Sequence, residues 1–116
     1  MNFADAKHIR DLIWYDGPLL SVMEHKDKTY LVKWVDVNDA RTVHTWIIFE
    51  VEPAILEAYY AKVLTLRQLE ERSANVYFFE GFLEESDAAW VDIDEVPEDW
   101  KARSNSYFDE RLVHND

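Results

Sequence analysis

The sequence has no cysteine, and it has only two glycines and three prolines among 116 residues. Without cysteine the chain can form no disulfide, no thiolate zinc site and no cysteine nucleophile. Two glycines are too few for a glycine-rich loop that cradles a phosphate group. The lack of cysteine and the low glycine content exclude several enzyme classes. We therefore expect a binding function rather than a catalytic one.

Long apolar runs are also missing. The longest ones, such as WIIF at residues 46–49, have the length of a strand, whereas a helix that spans a bilayer needs about 20 apolar residues. The opening segment MNFADAKHIRD carries charge from Asp5 onward and lacks the apolar stretch of a signal peptide. We therefore expect no membrane segment and a cytoplasmic location.

The chain is rich in apolar and aromatic residues, and it carries a strong negative charge. Its hydrophobic fraction is 48% and its aromatic fraction 15%, which is enough to bury a core. Its length predicts a single domain over residues 1–116. The formal net charge of −12 opposes contact with phosphate backbones and anionic lipids. We therefore predict neither nucleic acid nor membrane as a direct partner.

The first half of the chain has the pattern of an antiparallel meander. Asp16-Gly17 favours a tight turn between the apolar runs of residues 9–25. Pro18 lacks a backbone donor, so it must start a strand or lie on an edge. Two further strands are predicted at residues 29–37 and 42–51, with apolar side chains on both of their faces.

Three tryptophans, Trp14, Trp34 and Trp46, fall on candidate neighbouring strands. They could form a stacking platform for bases or sugars, but core packing explains large rings more economically in an acidic chain. If the sheet is apolar on both faces, however, one pair of helices cannot cover it. An exposed aromatic strip would then imply a partner or a dimer.

The region after residue 52 mixes helices and strands. Pro53 and an apolar stripe predict a helix over residues 53–62. Thr65, with Gln68 three residues later, predicts a capping box before a second helix over residues 66–72; a single bent helix is the alternative. Strands are predicted at residues 76–83, flawed by Gly81, and at residues 89–96, ended by Pro97. Residues 98–116 are expected to lie across the body as a tail with frayed ends.

Together these elements predict an α+β fold. We expect a bent antiparallel sheet of five to six strands, shaped as a half-open barrel. One or two short helices are inserted between strands four and five.

Negative charge is concentrated in the second half of the sequence. Residues 1–69 hold ten acidic and eight basic side chains, whereas residues 70–116 hold fourteen acidic and four basic ones. Eight of the carboxylates fall within residues 84–99, which contain no lysine or arginine; we call residues 84–99 the acidic segment. The candidate partner-binding residues are Glu84, Glu85, Asp87, Trp90, Asp92, Asp94, Glu95, Glu98, Asp99 and Trp100.

The acidic segment has three interpretations. It could be a solvated face that favours solubility and discourages edge pairing. It could be a docking surface for a basic protein, with Trp90 and Trp100 as apolar anchors; in a narrower version, the row of carboxylates mimics a nucleic-acid backbone. A calcium site is disfavoured because Asp92, Asp94 and Glu95 are not followed by the glycine and distal glutamate of a calcium loop.

Signals for catalysis, metals and cofactors are weak. The four histidines have no spacing that would place two ligands on one helical turn, and no serine lies in a GxSxG motif. We predict no catalytic residue, no metal and no cofactor. One alternative is a small enzyme or ligand-binding domain with a pocket between sheet and helix, in which His44 and Glu50 would serve as acid and base. Another alternative is a homo-oligomeric structural subunit.

Four segments carry a resemblance to a known family: YDGPLL at residues 15–20, YLVKWVD at 30–36, LTLRQLEE at 64–71 and DEVPEDW at 94–100. They resemble an uncharacterised family of small bacterial and phage proteins, over most of residues 10–100. The resemblance implies the order of hairpin, strand and helices, and it implies no reaction. From the acidic second half of the chain we predict a non-catalytic interaction protein of bacterial or phage origin, inhibitor-like or antitoxin-like, that binds a basic protein partner.

Overall fold

The computed structural model describes residues 1–15, 17–82 and 87–113. Its centre is a six-stranded antiparallel sheet in which every strand pairs with its neighbours in sequence. The strands are β1 (Lys7–Trp14), β2 (Pro18–His25), β3 (Lys28–Val37), β4 (His44–Val51), β5 (Asn75–Glu80) and β6 (Ala89–Val91). The predicted antiparallel sheet is confirmed. It is not closed, because β1 and β6 form its two edges, and the half-open barrel stays a prediction.

Turn chemistry explains the first two hairpins. Pro18 is the first residue of β2 and lies opposite Trp14, so its missing N–H interrupts no bond inside the ladder. The β2–β3 turn consists of Lys26 and Asp27, both with positive φ angles of 50° and 66°. Two such residues give a turn whose twist matches that of the flanking strands.

Two short helices lie between β4 and β5 in the chain. They are α1 (Pro53–Tyr60) and α2 (Leu66–Glu71). The capping box predicted at Thr65 is present: its hydroxyl accepts the Gln68 N–H at 3.1 Å, and the Thr65 N–H donates to the Gln68 side chain at 2.9 Å. No helix of the described residues is long and apolar enough to cross a membrane.

The strands predicted in the second half are shorter than expected. The strand predicted at residues 76–83 ends at Glu80, and Gly81 adopts a φ of 88°. The strand predicted at residues 89–96 is wrong beyond Val91. The Asp92 carboxylate accepts the N–H of Asp94 at 2.9 Å and starts a 3₁₀ turn over Ile93–Glu95. This local bond competes successfully with strand pairing.

One face of the sheet, which we call the helical face, is largely covered. Both helices and the segment 93–113 pack against it. The buried residues of this cluster come from β1 to β5, from the helices and from the segment after β6; they are Leu12, Leu20, Val22, Leu31, Ile47, Phe49, Val51, Leu56, Tyr59, Leu66, Leu69, Val76, Val96 and Ala102.

A buried ion pair fastens the chain after β6 to the helical face. Lys33 on β3 donates to the Glu70 carboxylate at 2.7 Å and to the carbonyl of Trp100 at 2.7 Å. The Ala102 N–H donates to the other Glu70 oxygen at 2.8 Å. Because these bonds satisfy both charged groups, the pair can remain inside the protein. One ion pair thus joins the sheet, α2 and the C-terminal segment.

The other face, which we call the open face, is covered only in part. Residues 1–6 lie over it, and the Phe3 ring packs edge-on against Tyr30 and Tyr77, with centroid distances of 5.0 and 5.7 Å. Trp34 and Trp46 lie opposite each other on this face and are half-buried. Trp14 is 39% exposed. The prediction that the three tryptophans are core residues is therefore wrong for Trp14, whereas Trp46 packs against the buried cluster of this face.

Candidate protein-interaction surface

The acidic segment runs along the β6 edge of the sheet. A backbone bridge joins Asp87 to Asn2 of the N-terminal segment, and β6 follows two residues later. Asp87, Asp94, Glu95 and Asp99 are exposed. Glu84 and Glu85 lie outside the described residues, so the structure places the segment from Asp87 onward.

Trp90 is the most prominent apolar group in this segment. Its side chain is 62% exposed although it lies within β6, opposite Tyr77 of β5. The indole N–H donates to the Asn75 side-chain oxygen at 3.2 Å. This bond restricts the ring's orientation, so the indole is presented to solvent with little conformational freedom left to lose.

Most carboxylates of the segment have no basic counter-ion. Among the described residues, no lysine or arginine nitrogen lies within 4.0 Å of the carboxylates of Asp87, Asp92, Asp94, Glu95 or Asp99. The Asp92 carboxylate is occupied as the cap of the 3₁₀ turn. Like charges close together repel one another. A positive partner would relieve that repulsion.

Glu98 differs from these groups because it is already paired. Two nitrogens of the Arg67 guanidinium contact its two oxygens at 2.7 and 3.2 Å. The hydrogen bond from Arg67 lowers the pKa of Glu98, and its bonds to Glu98 and Glu71 raise the pKa of Arg67. Glu98 therefore holds the segment on α2 and contributes little free negative charge.

Trp100 is not presented like Trp90. It is half-buried and packs against the cluster of the helical face, and its carbonyl accepts the Lys33 ammonium. The structure thus separates the two tryptophans named in the sequence: Trp90 faces solvent, and Trp100 fixes the chain to the body.

A small cleft lies beside Trp90. It encloses about 170 Å³, and its lining includes Asn75, Trp90 and Asp92. An aromatic wall, an amide and a carboxylate side by side suit the guanidinium of arginine or the ammonium of lysine. Sequence reasoning missed Asn75, because no local pattern reveals that a residue 15 positions upstream positions the indole.

The acid–base alternative finds no convergent pair. His44 and Glu50 both lie on the open face of β4, but six residues separate them, which corresponds to about 20 Å along a strand. The His44 Nδ1 accepts the Trp34 indole N–H at 2.9 Å, and Glu50 accepts a bond from Tyr30 at 3.4 Å. Nor does any group of three or more His, Asp or Glu side chains in the described ranges have the arrangement of a metal site.

Comparison with protein-family models, with curated proteins and with solved structures finds no match to this chain.

Proposed function

We propose that this chain is a non-catalytic, cytoplasmic protein-interaction module, inhibitor-like or antitoxin-like, that binds a basic protein. One observation carries the proposal. Trp90 stands exposed and hydrogen-bonded in place at the sheet edge, within a run of carboxylates that have no basic counter-ion among the described residues. Interface hot spots combine an aromatic anchor of this kind with complementary charge.

The chemistry of the surface indicates what the partner presents. A lysine or arginine side chain that enters the cleft beside Trp90 would meet the indole face and the Asp92 carboxylate. Asp94 and Glu95 would attract further basic residues around it. The interpretation of the acidic segment as a nucleic-acid mimic depends on evenly spaced carboxylates. That even spacing requires a strand over residues 89–96. The 3₁₀ turn removes that spacing, so a basic surface in general is the better-supported partner.

The test compares two triple variants with equal charge. The first, Asp92→Asn, Asp94→Asn and Glu95→Gln, neutralises the proposed surface, and asparagine at position 92 can still cap the turn through its side-chain oxygen. The second, Asp27→Asn, Asp39→Asn and Glu57→Gln, neutralises three exposed carboxylates elsewhere. Each immobilised variant is incubated with lysate of the organism that encodes the chain, and the proteins retained are compared with those retained by the unmodified chain.

We expect a basic protein to be retained by the unmodified chain and by the second variant. The first variant should retain at least about tenfold less of that protein, and the difference should shrink as salt rises. Equal loss in both variants would indicate a general charge effect. If the first variant retains the basic protein as well as the unmodified chain does, the acidic segment is a solvated face and the proposal is wrong.

A further inference from the structure

A groove crosses the part of the open face that residues 1–6 leave uncovered. It encloses about 300 Å³, at the lower end of the range of ligand pockets, about 300–1,000 Å³. Its walls include Val32, Trp46, Phe79 and Phe82. The Trp46 and Phe79 rings are nearly parallel, at an interplanar angle of 10° with centroids 6.4 Å apart, and Phe82 is 71% exposed. Such walls favour a flat, apolar molecule.

The end of the groove at β1 and β2 is polar. The Ser21 hydroxyl donates to the Asp11 carboxylate at 2.6 Å, and the His8 Nε2 lies 2.8 Å from the same oxygen. Ser21 and His8 line the groove, and Asp11 lies behind them. The Ser21 hydroxyl uses its only proton in the hydrogen bond to Asp11. Toward a ligand it can therefore act only as a hydrogen-bond acceptor. The His8 ring lies beside Ser21 and contacts the same Asp11 oxygen.

The charges near the groove favour a cationic ligand. No lysine or arginine is among the described residues that line it, the Asp11 carboxylate lies behind its polar end, and the whole chain carries a net charge of −12. An anionic ligand would meet no lysine or arginine among these described residues. A second copy of the chain would bring the same net charge, which opposes self-association at this face.

We propose that the groove binds a small aromatic molecule that carries a protonated amine. The ring lies against Trp46, Phe79 and Phe82, and the ammonium donates to the Ser21 hydroxyl oxygen, close to the Asp11 carboxylate. The proposal is independent of the acidic segment, which lies on the edge of the sheet, and either one can fail without the other.

The test uses two probes that share a phenyl ring and a two-carbon spacer but differ in charge: phenethylamine and phenylpropionate. Each is titrated into isotopically labelled protein while the nuclear magnetic resonance signals of the Trp46 indole N–H and the Ser21 amide are followed. We expect phenethylamine to shift both signals with a Kd on the order of 1 mM. Phenylpropionate should bind at least about tenfold more weakly.

Two variants assign the site. Phe82→Ala removes an exposed wall, and it should weaken phenethylamine binding several-fold; its control is Tyr107→Ala, which removes a ring that is 55% exposed and lies outside the groove. Ser21→Ala should reduce the preference for the amine over the acid, whereas Ser104→Ala, at an exposed position outside the groove, should not.

Three results would overturn the proposal: equal binding of the two probes, no effect of Phe82→Ala, or an effect of Tyr107→Ala as large as that of Phe82→Ala. A further contrary result would be a molecular mass that doubles with protein concentration while the Trp46 signal shifts, because a second copy would then occupy this face.

Discussion

The two faces of the sheet are closed in different ways. The helical face is covered by two helices and a long C-terminal segment, and a buried ion pair fastens the cover. The open face is covered at one end by six residues, with Phe3 as their one fully buried ring. Both faces are apolar, so the contrast lies in what covers them. Stability should therefore depend mainly on the helical face, while the open face retains surface for binding.

The largest effect is expected at the buried ion pair. Replacement of Glu70 by alanine leaves Lys33 without its counter-ion and the Ala102 N–H without an acceptor. Removing one partner of a buried pair costs about 3–5 kcal/mol, and we expect a loss of that size in the free energy of unfolding measured with urea. Glu71→Ala on the exposed side of α2 is the control, with an expected cost of at most about 1 kcal/mol. Similar costs for both variants would show that the pair does not secure the helical face.

A smaller loss is expected from Phe3→Ala on the open face. Truncation of a buried phenylalanine costs about 3–5 kcal/mol when its site cannot open. Residues 1–6 contribute only an isolated bridge to the sheet. We therefore expect them to detach before the sheet unfolds and the loss to be about 2 kcal/mol, less than for Leu69→Ala in the other cluster.

Hydrogen exchange distinguishes local detachment of residues 1–6 from unfolding of the whole sheet. In Phe3→Ala, the amides of Ala6 and Ala88, which donate to Phe3 and Met1, should exchange faster. The amide of Leu69 should keep its protection. If all three amides lose protection equally, the two faces unfold as one unit and the contrast drawn above does not hold.

A pH dependence samples both faces. Burial raises the pKa of Tyr59 on the helical face to about 12; burial, together with Glu50, raises the pKa of Tyr30 on the open face to about 12. In the unfolded chain both phenols ionise near 10. The stability that these two groups contribute is therefore fully present below pH 10, and it is lost as pH rises from 10 to 12.

Phenolate absorbance measures this directly. Tyr30→Phe and Tyr59→Phe should each remove one phenol that ionises late. If Tyr30→Phe has as many late-ionising phenols as the unmodified chain, then Tyr30 ionises near 10 and the open face admits water at that position.

Local chemistry made much of the fold predictable. Pro18 at a strand start, the capping box of Thr65 and Gln68, and the alternating apolar residues of β3 and β4 each depend on neighbours in sequence. The strand predicted over residues 89–96 is confirmed for residues 89–91 and wrong beyond Val91, because alternation of apolar residues does not reveal a local cap. The bond from the Asp94 N–H to Asp92 is also local, and it decides the conformation there.

Contacts between residues that are distant in sequence were not predictable from the sequence. Nothing in the sequence indicates that Glu70 pairs with Lys33, that Phe3 covers the open face, or that Asn75 orients Trp90. The acidic segment itself was visible as composition, but the pairing of Glu98 with Arg67 and the packing of Trp100 depend on how α2 meets the chain after β6. Sequence identified the charged region, and only tertiary structure distinguishes its free carboxylates from those that hold the fold together.

The ion pair of Lys33 and Glu70 also bears on synthesis of the chain. Lys33 donates to the carbonyl of Trp100, and Glu70 accepts the N–H of Ala102. The ribosome makes these two residues after β3 and α2. Until those residues emerge, Lys33 and Glu70 can pair with each other, but each lacks one of its hydrogen-bond partners, and the helical face lacks its C-terminal cover. Completion of the core is thereby delayed until nearly the whole polypeptide is available, and a nascent chain that ends before residue 100 would carry an unfinished hydrophobic surface.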